Sequence, residues 1–327
     1  MKLLSVARTV ACIATLAVMS PQAGAEKLRE VTYLLPAPPS LPAFAPWMIA
    51  QQKGYYSEEG LKVSFVVGKG GADVAKQVGA GNAPLGGGVG DTPIIVRPNG
   101  VPVKAVAVLG GASLMHLAIN RAEVPGSIPG LKGKTIGAMS YADTTYYALL
   151  GILRANGLSK SSVDIQASGP SVWQLFAERK IPALASVPEW TVNAQDAGVK
   201  VEVIPADRYF KSMAQAILAS DETVKKDPEL IRKFVRATLR GLADIVRDPA
   251  AATSDYVKAV PGYQGREKYV ESVLKLYNAT VYQGQPRLGA IDPERVATLQ
   301  KFYLNEGIIA RAVPLGDLFT NDFVPAQ

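Results

Sequence analysis

The chain has 327 residues, a single cysteine at Cys12, a single histidine at His116 and a formal charge of +7. That inventory leaves no disulfide framework and little material for a multi-histidine metal centre or a Ser-His-Asp arrangement. No stretch concentrates basic residues with interleaved aromatics, so nucleic acid is not an expected partner.

Lys2 and Arg8 make a positive start, residues 9–25 carry no charge, and residues 10–19 are mostly apolar. Pro21 then breaks any helix, and Ala23-Gly24-Ala25 supplies small residues where a signal peptidase reads. This pattern predicts a secretory signal peptide over residues 1–25, cleaved after Ala25. The apolar run falls short of the roughly 20 residues that span a bilayer. Cys12 sits inside that run, too early to carry a lipid anchor. The mature chain then has no cysteine, and 33 basic side chains against 28 acidic leave +5. Such an excess suits solubility, and equally the attraction of anionic ligands. No metal or cofactor is expected. At about 300 residues the mature chain has room for two lobes.

Strand-like and helix-like segments then alternate. Residues 31–35 read as a strand and 43–53 as a helix closed by Gly54. Residues 61–67 are a second strand and 72–79 a second helix. Residues 83–88 are short and small, with a helix opening near Asp91, and 101–109 form a valine-rich strand. This order predicts an α/β fold with a mostly parallel sheet. The pattern restarts with strands at 114–120, 135–139, 163–166, 183–187 and 199–204. Helices are expected over 143–156, over 171–179 and from Pro188. His116 lies in the first of these strands and reads as a structural histidine.

The last third changes character. Asp227-Pro228, Asp248-Pro249 and Asp292-Pro293 each place a capping carboxylate before a proline suited to the first helical turn. After Asp227, residues Leu230, Ile231, Phe234, Val235, Leu242, Ile245 and Val246 recur on one helical face, which reads as core packing. The order implies two crossings between lobes, near residues 113–117 and 206–212. Lobe one would comprise 26–115 and 210–327, and lobe two 116–209.

Several strings carry a resemblance. Lys53-Gly54-Tyr55-Tyr56 is followed by Glu58-Glu59-Gly60-Leu61 and a strand. Lys69-Gly70-Gly71, the small-residue segment 86–93, Gly100-Val101-Pro102-Val103-Lys104 and Leu131-Lys132-Gly133-Lys134 follow in order. Over roughly residues 30–250 the chain resembles the NMT1/THI5-like and aliphatic sulfonate/taurine/nitrate binding proteins of ABC transporters. The resemblance implies a two-lobed periplasmic binding protein fold of type 2 topology, with a C-terminal helical segment here. It further implies a small solute in the cleft, a permease as partner and a monomeric binding protein rather than an enzyme.

Cleft candidates follow. Gly70, Gly71, Gly90, Asp91 and Thr92 sit at helix starts, where free amides and close backbone approach favour a ligand, although such glycines also serve plain turns. The proline-rich loop after the first strand offers Ser40 and Phe44. Trp47 suits either ring stacking or core. Ser140, Asp143, Thr144 and Thr145 open a helix in the second lobe. The sulfonate-type pattern has a Gly-Ser pair there, replaced here by Tyr141-Ala142, and Asp143 adds negative charge. Glu189 and Trp190 follow another strand. Glu189 suits an amino group or simple compensation of the helix dipole, and Trp190 suits an aromatic ring. The hydroxyls at 140–145 suit a sulfonate or carboxylate, and the Glu189-Trp190 pair an aromatic or pyrimidine compound, so a small organic solute of one of these kinds is expected rather than a bare inorganic anion.

Two alternatives stand beside transport. One is a sensing module that uses the same cleft. The other is the thiamine-pyrimidine enzyme of eukaryotic relatives, whose chemistry depends on a cysteine-rich segment and a histidine that this sequence does not supply.

Overall fold

The computed structural model describes residues 27–326; the expected signal peptide, with Cys12 and the cleavage point at Ala25, lies outside the described residues. The described strands are β1 (Arg29–Leu35), β2 (Leu61–Val67), β3 (Leu85–Val89), β4 (Val103–Val108), β5 (His116–Asn120), β6 (Thr135–Ala138), β7 (Asp164–Ala167), β8 (Ala183–Ser186), β9 (Val201–Pro205) and β10 (Gln215–Ser220). They form two five-stranded sheets, ordered β2-β1-β3-β10-β4 and β7-β6-β8-β5-β9.

The two sheets repeat one plan. In the first, β1 pairs in parallel with β2 and β3, while β10 runs antiparallel to both β3 and β4. In the second, β6 pairs in parallel with β7 and β8, while β5 runs antiparallel to β8 and β9. The expected parallel order therefore holds, with one reversed strand in each sheet. That strand is the first one the chain lays down after crossing from the other sheet.

The crossings lie between β4 and β5 and between β9 and β10, and they hold one another. The Ser113 amide donates to Asp207 Oδ2 at 2.7 Å, and the Ala206 amide donates to the Met115 carbonyl at 3.3 Å. Arg295 Nε donates to the Ser212 carbonyl at 3.0 Å and the same guanidinium pairs with Asp207 at 2.5 Å. A C-terminal helix thus fastens the second crossing, and through Asp207 the first.

The C-terminal helices pack on the first sheet's side. Pro228–Arg247 buries Leu230, Ile231, Phe234, Val235, Leu242 and Ile245, the face expected from its period. Its Gly241 lets two backbones touch, since a Cβ there would lie 2.1 Å from the Pro46 carbonyl oxygen of the Ala45–Gln52 helix. Tyr33, Phe234 and Tyr56 stack at 4.6 and 5.1 Å between ring centres. Trp47 is 1% exposed, so it belongs to this core. All three Asp-Pro starts cap as expected: Asp227 accepts from the Leu230 amide, Asp248 from Ala250 and Ala251, and Asp292 from Glu294. These oxygens satisfy amides that a first turn leaves unpaired.

Candidate functional site

A cavity of about 50 Å³ lies where the two sheets' loops face each other. The loop after β1 gives one wall through Pro36, Ala37 and Leu41, continued by Ala43 and Phe44. Gly71, Gly88, Val89 and Gln215 close the first lobe's side. The second lobe contributes Met139 with Asp143, Thr144 and Thr145 at the start of the Thr144–Ala155 helix. It also contributes Val187, Glu189 and Trp190 at the start of the Pro188–Asp196 helix. The walls are mainly apolar, and among the described residues no lysine, arginine or histidine lines them.

Glycine makes the lobes meet. A Cβ on Gly71 would lie 2.6 Å from Thr144 Oγ1, and one on Gly70 would lie 2.8 Å from the Asp143 backbone. Gly70 also has a φ of +109°, which a side chain rarely tolerates. Beside them the Ala72 amide donates to the Ala142 carbonyl at 2.9 Å, and Thr92 and Thr144 hydroxyls stand 3.4 Å apart. Any larger residue at 70 or 71 would hold the lobes apart.

Glu189 is the most unusual group in the cavity. It is 1% exposed. Burial pushes its carboxyl up to about 7, against the Tyr277 hydrogen bond and the amides of Glu189 and Ala43, which pull it down. The Tyr277 hydroxyl donates to Glu189 Oε2 at 2.5 Å, while Oε1 has no partner of good geometry. Trp190 Nε1 is likewise buried without a partner. One acceptor and one donor on successive residues are therefore left unused in an apolar enclosure. Buried polar atoms rarely stay unpaired in a working protein.

Asp143 is committed differently. Its Oδ1 accepts from the Thr145 amide and hydroxyl, both at 2.7 Å, so it caps the helix. Burial raises its carboxyl above the usual range, with the two Thr145 bonds opposing. No cationic side chain among the described residues lines the cavity to balance a buried anion.

The expected site residues divide. Phe44, Gly71, Asp143, Thr144, Thr145, Glu189 and Trp190 line the cavity, and Gly70 shapes its rim. Ser40, Gly90, Asp91, Thr92 and Ser140 do not line it. Ser40 uses its carbonyl to accept from the Tyr256 hydroxyl at 2.7 Å. Asp91 does not cap the Thr92–Val96 helix. Its oxygens accept from the Ser212 hydroxyl, the Met213 amide and the Tyr303 hydroxyl, so it anchors the hinge instead. Gly90 packs against Met213, whose Sδ a Cβ would approach to 2.7 Å. Thr92 Oγ1 accepts from the Val89 amide at 3.1 Å. His116 is buried outside the cavity, its Nε2 2.6 Å from Thr191 Oγ1, and burial lowers it to about 4.

Sequence reasoning missed Gln215 and Tyr277. Gln215 Nε2 donates to the Ala43 carbonyl at 3.0 Å. Neither residue stands in a motif: folding brings Gln215 to the cavity wall and Tyr277 against Glu189.

Residues 41–252 match the family model described as NMT1/THI5 like. The chain is 31% identical over 309 residues to the riboflavin-binding protein RibY of Chloroflexus aurantiacus, covering 91% of this chain and 87% of that protein. It is 24% identical over 309 residues to the 4-amino-5-hydroxymethyl-2-methylpyrimidine phosphate synthase of Aspergillus parasiticus, covering 84% of this chain and 88% of that one. The alkanesulfonate-binding protein SsuA from Xanthomonas axonopodis pv. citri, solved with MOPS bound, shares the fold. Its TM-score is 0.69 at 16% identity, covering 91% of this chain and 99% of that chain.

Proposed function

The chain belongs to the NMT1/THI5-like family, and from that premise we propose that it is the solute-binding subunit of an ABC importer. Its ligand on this reading is a flat, uncharged nitrogen heterocycle held in the interlobe cavity. The observation that carries this reading is two buried polar atoms without a partner, Glu189 Oε1 and Trp190 Nε1, on residues that line a cavity with no cationic side chain among the described residues. A heterocycle that offers an N–H to the carboxyl and an acceptor atom to the indole satisfies both. Flavins carry such a donor and acceptor as N–H and C=O, aminopyrimidines as an amino group and a ring nitrogen, and the 31% identical relative is a riboflavin-binding protein.

Lobe one takes residues 26–115 and 210–327, and lobe two takes 116–209; the two strand crossings support that division. A cavity of about 50 Å³ is well below the roughly 300 Å³ at which ligand sites usually begin. Access for a ring therefore requires the lobes to part about the crossings.

Export and partnership follow from the same reading. The signal at residues 1–25 sends the chain to the periplasm, where it works as a monomer with a membrane permease. No helix among the described residues is long and apolar enough to cross a membrane. Binding without turnover is supported by the chemistry available: Cys12 is the only cysteine, and His116 is held by Thr191 away from the cavity.

The test is native mass spectrometry of the purified protein with a panel of riboflavin, hydroxymethylpyrimidine, an alkanesulfonate and nitrate. One heterocycle per chain, recovered unchanged, is the expected result. Retention of the alkanesulfonate or nitrate alone contradicts the reading.

A further inference from the structure

Beside the cavity lies a second, wider chamber of about 310 Å³ at the cleft mouth. The two spaces share Pro36, Ala37 and Met139 as a common wall. That partition is thin, being formed by a small side chain and by an unbranched thioether that repacks readily. The chamber also bridges the lobes, with Val67 and Lys69 on one side and Ser140 and Gly169 on the other.

Its polar groups are donors. Ser140 Oγ accepts from the Ala142 amide at 3.1 Å and keeps its own proton to give. Lys69 is exposed and has no ion-pair partner among the described residues. The remaining surface is apolar, with Pro36, Pro38, Pro170 and a Val67 that is 49% exposed. Donors on an apolar wall suit oxygen acceptors on a carbon chain. A single lysine in water contributes little to holding a phosphate.

We propose that this chamber is a second subsite of the same ligand, taking an uncharged, hydroxylated side chain that leaves the ring past Ala37 and Met139. The inference rests on the heterocycle reading above and narrows it. The ligand is a ring with a polyol arm rather than a bare ring or a phosphate ester. Ser140, expected in the cavity, becomes a determinant of the arm.

Three flavins separate these cases: riboflavin with its polyol arm, lumiflavin with a methyl group in its place, and flavin mononucleotide with a terminal phosphate. Equilibrium titration should give riboflavin roughly tenfold or more tighter than lumiflavin, with the mononucleotide no tighter than riboflavin. Val67→Trp, at an exposed position on the chamber wall, should weaken riboflavin roughly tenfold and leave lumiflavin within about twofold. Ser140→Ala should act in the same sense by roughly fivefold. Equal binding of riboflavin and lumiflavin, equal losses for both in the two variants, or a preference for the mononucleotide overturns the subsite while leaving the ring reading intact. Absence of all flavin and pyrimidine binding overturns both.

Discussion

Tyr277 and Glu189, 88 residues apart, meet between the C-terminal helices and the second lobe, where the tyrosine hydroxyl donates to one carboxyl oxygen at 2.5 Å. The bond fixes the carboxyl group and leaves its other oxygen for something else. It also joins the two lobes beside the cavity, so closure and recognition share one side chain.

Glu189→Gln tests that sharing. A hydrogen bond to a charged group contributes about 1.5–3 kcal/mol, so a heterocycle carrying an N–H should bind roughly 10- to 100-fold more weakly. An alkanesulfonate, which has no proton to give Glu189, should lose no affinity. Isothermal titration calorimetry with both ligands decides it, and equal loss for both removes Glu189 from recognition.

The pH dependence of stability should show two opposed groups. Glu189 is raised from 4.5 to about 7, so its contribution to stability is present below 4.5 and lost as the pH rises through 7. His116 is lowered from 6.5 to about 4, so its contribution is present above 6.5 and lost as the pH falls through 4. Each amounts to about 3 kcal/mol at most, and the windows overlap. Asp91 and Asp143 are raised by burial and act in the same sense as Glu189. Between about pH 4.5 and 6.5 the raised carboxyls therefore oppose the gain that His116 gives as the pH rises. Glu189→Gln should expose the His116 slope and lose stability on acidification more steeply. Urea unfolding across that range reads it, and parallel pH profiles for the two proteins contradict the assignment.

Gly71→Ala should act on closure alone. The added methyl group meets Thr144 Oγ1 of the other lobe at 2.6 Å. Ligand affinity should fall roughly 10-fold or more while the ligand-free melting temperature stays within a few degrees. Small-angle scattering with ligand should show the variant still open. A normal contraction on binding would mean that the lobes close elsewhere.

A cap far from the cavity serves as the control. Asp248 accepts from the amides of both Ala250 and Ala251. Asp248→Ala should cost about 1 kcal/mol of stability and leave affinity unchanged.

The legible parts of the sequence were those that local chemistry specifies. Asp-Pro pairs cap helices whatever surrounds them, and the face from Leu230 to Ile245 needs only helical periodicity. Glu189 and Trp190 stand out because they open a helix just after a strand. Asp91 misled because its partners Ser212, Met213 and Tyr303 come from the second crossing and a C-terminal helix. Strand β10 is not marked in the sequence, because Ile217 is its one β-branched residue and it directly follows the expected second crossing. Gln215, at its start, was missed with it. Tyr277 ends an amphipathic helix and looks like core until the fold sets it against Glu189.

The most direct test of the central claim is a titration of the purified protein with riboflavin, followed by tryptophan fluorescence and repeated with Trp190→Phe. Saturable quenching at one ligand per chain is predicted, with affinity roughly tenfold weaker once the indole N–H is removed. Contradiction would be an alkanesulfonate that binds saturably while riboflavin and hydroxymethylpyrimidine do not.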